Sequence, residues 1–109
     1  MKVAVIGSRG FNNYELIKET LSSLDITLVV SGGAMGADTL GERYARENSI
    51  PTKIFKPDWT KGRGAGFLRN TDIINEADTV VAFWDGKSRG TLDSIKKAEK
   101  QGKKVLIIL

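Results

Sequence analysis

The residues of this chain best suited to chemistry lie at three glycine-bearing junctions. In Ser31-Gly32-Gly33-Ala34-Met35-Gly36-Ala37-Asp38, small side chains and one carboxylate stand between an apolar run and a helical pattern. Small residues at such a junction let backbone N–H groups approach an anion at the positive end of a helix, so Ser31, Gly32, Gly33, Ala34, Met35 and Gly36 form the first candidate phosphate cradle. The competing role of these glycines is tight packing and positive φ alone. The pattern is neither the Gly-x-Gly-x-x-Gly dinucleotide fingerprint nor a P-loop, because no Lys-Ser/Thr pair closes it. Gly7-Ser8-Arg9 follows the first apolar run and offers a hydroxyl and a guanidinium to the same ligand, although a solvated arginine fits Arg9 equally well. Gly90-Thr91 opens the last helical pattern. There the amides and the Thr91 hydroxyl would meet a second phosphate or a ribose, while Thr91 caps the helix.

A fourth stretch, Gly62-Arg63-Gly64-Ala65-Gly66-Phe67-Leu68-Arg69-Asn70, joins flexible backbone to two arginines. A cation at the start of a helix opposes the helix dipole, so Arg69 is expected either to contact a ligand or catalytic groups, or to pair with Asp72 or Glu76. Trp59 and Trp84 flank the expected mouth, as base-stacking candidates or as partly buried core residues. Asp38 and Glu42 stand four apart on one helical face, a spacing that suits a ribose or a metal, with a solvated Glu42–Arg46 pair as the alternative. The 109 residues contain no cysteine and no histidine, which excludes disulfides, thiol nucleophiles, imidazole bases and the usual zinc and haem ligands. No metal site and no cofactor are expected. Chemistry falls to carboxylates, hydroxyls, Lys and Arg. The formal charge of +4 favours anionic partners but is spread along the chain, and Lys96, Lys97, Lys100, Lys103 and Lys104 read as a solvated helix face and exit turn.

These residues need a scaffold, and the hydrophobic pattern supplies one. Met1 to Ile6, Ile26 to Val30, Pro51 to Phe55, Thr79 to Phe83 and Val105 to Leu109 read as strands, the first of them buried on both faces. Helical spacing predicts helices from about Tyr14 to Leu24 and from about Met35 to Asn48, the latter with Leu40, Tyr44 and Ala45 inward. A short third helix carries Phe67, Leu68, Ile73 and Ile74, and a fourth runs from Thr91 to about Gln101 with Gly102 ending it. Lys56 to Gly66, with a proline, a tryptophan and three glycines, is expected to be a long functional or mobile loop. Strict alternation predicts an α/β fold: a Rossmann-like three-layer sandwich with a five-stranded, mostly parallel sheet, forming one domain over residues 1–109. Ligands of such sheets bind beyond the carboxyl ends of the strands, which gathers the loops after strands one, two and four. No apolar run approaches the roughly 20 residues of a bilayer crossing, and the expectation is a cytoplasmic protein with no membrane contact.

Taken in order, Gly7-Ser8-Arg9, Ser31 to Asp38, Gly64 to Asn70, Ala77-Asp78 and Gly90-Thr91 resemble the motif set of the SLOG superfamily. The nearest branch is the small YspA/YpsA-related proteins, with DprA and the LOG phosphoribohydrolases more distant. The resemblance implies a Rossmann-like fold, commonly dimeric, that binds a nucleotide, a nucleotide sugar or an ADP-ribose-type molecule. It places Gly7, Ser8, Arg9, Ser31 to Gly36, Asp38, Arg69, Asn70, Gly90 and Thr91 along the pocket. The hydrolases carry Pro-Gly-Gly-x-Gly-Thr-x-x-Glu, whereas here Lys87-Ser88-Arg89 precedes the Gly-Thr pair and Ser94 stands at the glutamate position. The arginine counterpart, Arg69, is kept; its acidic partner is not. Three functions are therefore weighed. The first is binding or sensing of a nucleotide-derived ligand by a homodimer. The second is N-glycosidic hydrolysis of nucleoside monophosphates by Arg69 with Asp93 or Asp38. The third, ranked lowest for want of a dense basic patch interleaved with aromatics, is single-stranded DNA binding.

Overall fold

The computed structural model describes residues 1–108; Leu109, the expected end of the last strand, lies outside the described residues. Five strands and four helices alternate along the chain: β1 (Lys2–Gly7), α1 (Tyr14–Leu21), β2 (Leu28–Ser31), α2 (Ala37–Glu47), β3 (Thr52–Ile54), α3 (Ala65–Glu76), β4 (Thr79–Phe83), α4 (Arg89–Lys100) and β5 (Lys104–Ile108). All neighbouring strands pair in parallel, in the order β3-β2-β1-β4-β5. The α/β architecture expected from alternation is the one found. The order reverses between β1 and β4, whose carboxyl ends meet at Gly7 and Phe83.

The central strands are apolar on both faces because each face carries a helix pair. Val3 and Val5 of β1 join Val29, Val81 and Phe83 in one core, closed by Ile17 and Leu21 of α1 and by Ala37, Tyr44 and Ala45 of α2. Ala4 and Ile6 point the other way, with Val30, Val80 and Ala82, onto Ile73 and Ile74 of α3 and Ile95 and Ala98 of α4. The period of two along each strand thus separates two cores. Among the described residues no helix is long and apolar enough to cross a membrane.

Element ends differ from expectation where hydrogen bonds compete with periodicity. Gly36 at φ +83° cannot continue a helix, so α2 starts at Ala37. Ser22 and Ser23 hydroxyls donate to the carbonyls of Glu19 and Thr20 as α1 ends at Leu21. The helix cap expected at Thr91 is Ser88, whose Oγ accepts from the Thr91 amide at 3.3 Å. Gly64-Ala65-Gly66, expected as loop, opens α3, because burial of Ala65 outweighs the poor helix propensity of glycine. Within the long loop, Trp59–Lys61 forms one 3₁₀ turn. Gly102, at φ +71°, follows α4 as expected.

Gly7 marks the tightest strand-end packing. A Cβ there would lie 2.3 Å from the Phe83 carbonyl oxygen and 2.6 Å from Ala37 Cβ. Backbone on one side and a core helix on the other leave no room to yield. Gly7→Ala is expected to cost at least about 2 kcal/mol of stability in urea denaturation. Gly10→Ala, whose Cβ would meet nothing within 4 Å, is expected to stay within about 0.5 kcal/mol of wild type.

Candidate functional site

Beyond the carboxyl ends of β1 and β4 opens a cleft of about 310 Å³, at the position where open α/β sheets receive ligands. Of the residues singled out in the sequence, Gly7, Arg9, Ala34, Asp38, Arg69, Asn70, Gly90 and Thr91 line it. The junctions after β1, β2 and β4 therefore converge on one space.

The remaining candidates stand around the cleft rather than in it. Ser8 is buried; its Oγ accepts from the Asp85 amide at 3.0 Å, tying the β1 loop to the β4 loop. Ser31 is buried, its hydroxyl donating to Glu42 Oε2 at 2.6 Å and accepting from the Gly33 amide at 3.1 Å. Glu42 is thus turned to Ser31, and the Glu42–Arg46 pair is absent among the described residues. Gly33 and Gly36 hold positive φ, and a Cβ at Gly36 would lie 2.2 Å from the Ser8 carbonyl oxygen. Met35 is 72% exposed and does not line the cleft. Trp84 packs on the second core and donates Nε1–H to the Ser88 carbonyl at 3.1 Å, outside the cleft. Asp93 does not line the cleft: its Oδ2 accepts from Lys97 Nζ at 2.7 Å and from Asn70 Nδ2 at 3.2 Å.

The expected phosphate cradle after β2 holds a carboxylate of the chain itself. Asp38, 5% exposed, accepts from the Gly32 amide at 2.9 Å, and the Ala34 amide nearby favours its charged form. A buried carboxylate needs such donors, since burial otherwise favours its neutral form. Burial still dominates: it pushes Asp38 up from 3.8 to about 6, against the lowering pull of the two amides and Arg69.

Arg69 is the fifth residue of α3 rather than its first, so it stands beyond the first turn, where the helix dipole disfavours a cation most. It pairs with neither Asp72 nor Glu76; Glu76 instead meets Lys2 and Lys53. Its Nη1 donates to the Gly32 carbonyl at 2.6 Å and to the Phe55 carbonyl at 3.4 Å, and Nε donates to Asn70 Oδ1 at 3.1 Å. Burial and the nearby Arg9 charge lower its pKa, while the Asp38 charge raises it. A guanidinium carries five N–H donors, and the two on Nη2 have no protein acceptor among the described residues.

The lining also includes residues outside the expected set, among them Trp59, read as a stacking or core residue, Arg63, noted as one of two arginines, Phe67 and Ser88. The signal for Ser88 was Asp85-Gly86, since Asp85 Oδ1 accepts from the Lys87 and Ser88 amides in an Asx turn that feeds α4. The first two amides of α4, from Arg89 and Gly90, precede any helical acceptor. Gly90 faces open space, with nothing within 4 Å of a Cβ built on it. Two of the five lysines read as solvated are structural. Lys97 also donates to the Phe67 carbonyl, and Lys103 to the carbonyls of Ile74 and Asn75. No group of three or more acidic side chains among the described residues is placed to hold a metal.

The Asp38 shift has a definite sign in stability. Its folded-state pKa lies above the unfolded value, so its contribution is fully present below about pH 4 and is lost as pH rises through about 6. The stability of wild type relative to Asp38→Asn is expected to fall between these limits by up to about 3 kcal/mol. Paired urea titrations read this, and a difference that stays flat or grows with pH would contradict it.

Comparison with known proteins sets this geometry in a family. The family model described as YspA, cpYpsA-related SLOG family matches residues 1–62. The Gene 61 protein of Mycobacterium phage D29 is 32% identical over 113 residues, covering 93% of this chain and 90% of that protein. Among solved structures, DNA processing protein A (DprA) of Streptococcus pneumoniae superposes with a TM-score of 0.85 at 21% identity, over 99% of this chain and 50% of that one. DprA of Helicobacter pylori, described for its single-stranded DNA binding mode, gives 0.73 at 24% identity, over 98% and 64%. The chain thus spans half and just under two thirds of those two proteins, and at such identity the likeness is one of fold. On the extent of the family match and the phage relative, the chain belongs to the YspA, cpYpsA-related SLOG family.

Proposed function

We propose that the chain acts as one nucleotide-binding domain, taking a nucleotide or nucleotide-derived molecule into the cleft between the ends of β1 and β4. The observation that carries this reading is a surplus of positive charge on one concave surface: Arg9, Arg63 and Arg69 line the cleft against a single lining carboxylate, Asp38. The start of α4 adds the N–H groups of Arg89 and Gly90 to the same rim, where an anion complements the helix dipole. At about 310 Å³ the cleft lies at the small end of ligand pockets, about 300–1,000 Å³, which suits a mononucleotide better than a dinucleotide.

In this reading the phosphate lies among Arg9, Arg69 and the α4 amides. The β2 loop contributes shape, because Asp38 already takes its Gly32 amide. Binding is favoured over hydrolysis: Asp93, the acid expected beside Arg69, is engaged by Lys97 and Asn70. A second reading, single-stranded DNA as partner, draws on the H. pylori DprA likeness and on the exposed Trp59 and Arg63 at the rim. It predicts oligonucleotide affinity that falls steeply with salt.

A thermal-shift series tests the first reading. A ligand at about a hundred times its Kd stabilises by about 2.7 kcal/mol, several degrees for a domain of this size. Nucleoside monophosphates are expected to raise Tm, with no base released on prolonged incubation. Gly90→Val, whose side chain enters the open space at the α4 start, is expected to remove the shift while leaving the ligand-free Tm unchanged. Flat curves for every nucleotide, with oligonucleotides binding in low salt, would transfer the case to DNA.

A further inference from the structure

Of the chain's eight aromatic side chains, two are exposed, Trp59 at 63% and Phe67 at 45%, and both line the cleft. The other six are buried or half-buried. Leaving two large apolar rings in water forgoes the stabilisation that burial of aromatics normally provides. Their shared position on a concave, arginine-lined surface makes random surface scatter a poor explanation.

The backbone that presents Trp59 is ordered by a dense set of local bonds. Asp58 Oδ1 accepts from the Thr60 amide at 3.1 Å and from the Thr60 hydroxyl at 2.5 Å, and the Gly62 amide donates to the Trp59 carbonyl at 3.1 Å. Gly62 holds φ +89°, a conformation other residues rarely adopt, and thereby ends the turn. The indole edge rests over Gly66 at the start of α3: a Cβ there would touch Trp59 Cη2 at 3.8 Å, and a larger side chain would displace the ring. The turn fixes the ring, and Gly66 in the first turn of α3 leaves the space beside it clear.

We infer that Trp59, with Phe67, is the stacking platform for the planar base of the nucleotide, so that the cleft has an aromatic end for the base and an arginine end for the phosphate. This rests on the nucleotide reading above and extends it to a second subsite with its own chemistry. Stacking on an aromatic face accepts any base, because every base has a π-face. A nucleoside monophosphate is thereby the ligand class assigned, with adenosine 5′-monophosphate as the probe.

The test separates the two ends. Adenosine 5′-monophosphate is expected to bind Trp59→Ala about ten-fold or more weakly than wild type. Trp59→Phe is expected to fall between them, and ribose 5-phosphate, which lacks the base, to bind all three alike. Because Trp59 is exposed, an unchanged ligand-free Tm verifies that each variant folds. Binding is also expected to quench the tryptophan fluorescence of wild type and not of Trp59→Phe, in which Trp84 alone remains. Equal adenosine 5′-monophosphate affinity in wild type and Trp59→Ala overturns the platform and leaves the nucleotide reading standing. Failure of both compounds to bind wild type removes the two together.

Discussion

The peptide unit of Gly32 is gripped from both ends by opposite charges. Its amide donates to the buried Asp38 carboxylate, and its carbonyl accepts from the Arg69 guanidinium. A Cβ at this position would lie 2.6 Å from Arg69 Nη1 and 2.9 Å from Asp38 Oδ2. Close approach, not backbone dihedral, demands the glycine here. The grip couples the β2–α2 junction to α3, and because Arg69 also reaches the Phe55 carbonyl it draws in the end of β3. One wall of the cleft is in this way set by charge-assisted hydrogen bonds, about twice as strong as neutral ones.

This arrangement changes where an anion finds its donors. The Gly32 amide faces a carboxylate of the same chain and so is not open to solvent. The positive groups that line the cleft are the side chains of Arg9, Arg63 and Arg69. The price is a buried carboxylate and a part-buried guanidinium, neither tolerable alone. Asp38 accepts from the Gly32 amide and Arg69 Nη1 donates to the Gly32 and Phe55 carbonyls, and among the described residues no buried side-chain polar atom lacks a partner. The cleft wall is therefore fixed by contacts within the chain itself.

Asn70 and Asp93 repeat the principle on the other wall. Asn70 joins Arg69 to the Gly90 carbonyl and to Asp93, and Asp93 joins α3 to α4 through Lys97. Polar side chains that read individually as ligand contacts form a frame that keeps the α3 and α4 starts at a fixed distance.

Sequence alone determined the architecture. Runs such as Val3 to Ile6 and Thr79 to Phe83, apolar on both faces, leave little choice but a covered parallel sheet, and a parallel sheet brings its loops out at one end. That is why Gly7, Asp38, Arg69 and Gly90 were legible as neighbours, and why the family resemblance spans them. The tertiary structure decided which groups face the opening. Whether the Gly32 amide meets solvent or Asp38, whether Ser31 turns to a ligand or to Glu42, and whether Trp59 or Trp84 stands at the mouth depend on competition among donors, acceptors and apolar surfaces distant in sequence. A periodic pattern records only whether a residue is apolar or polar; a hydrogen bond depends on tenths of an ångström that the whole packed chain must fix.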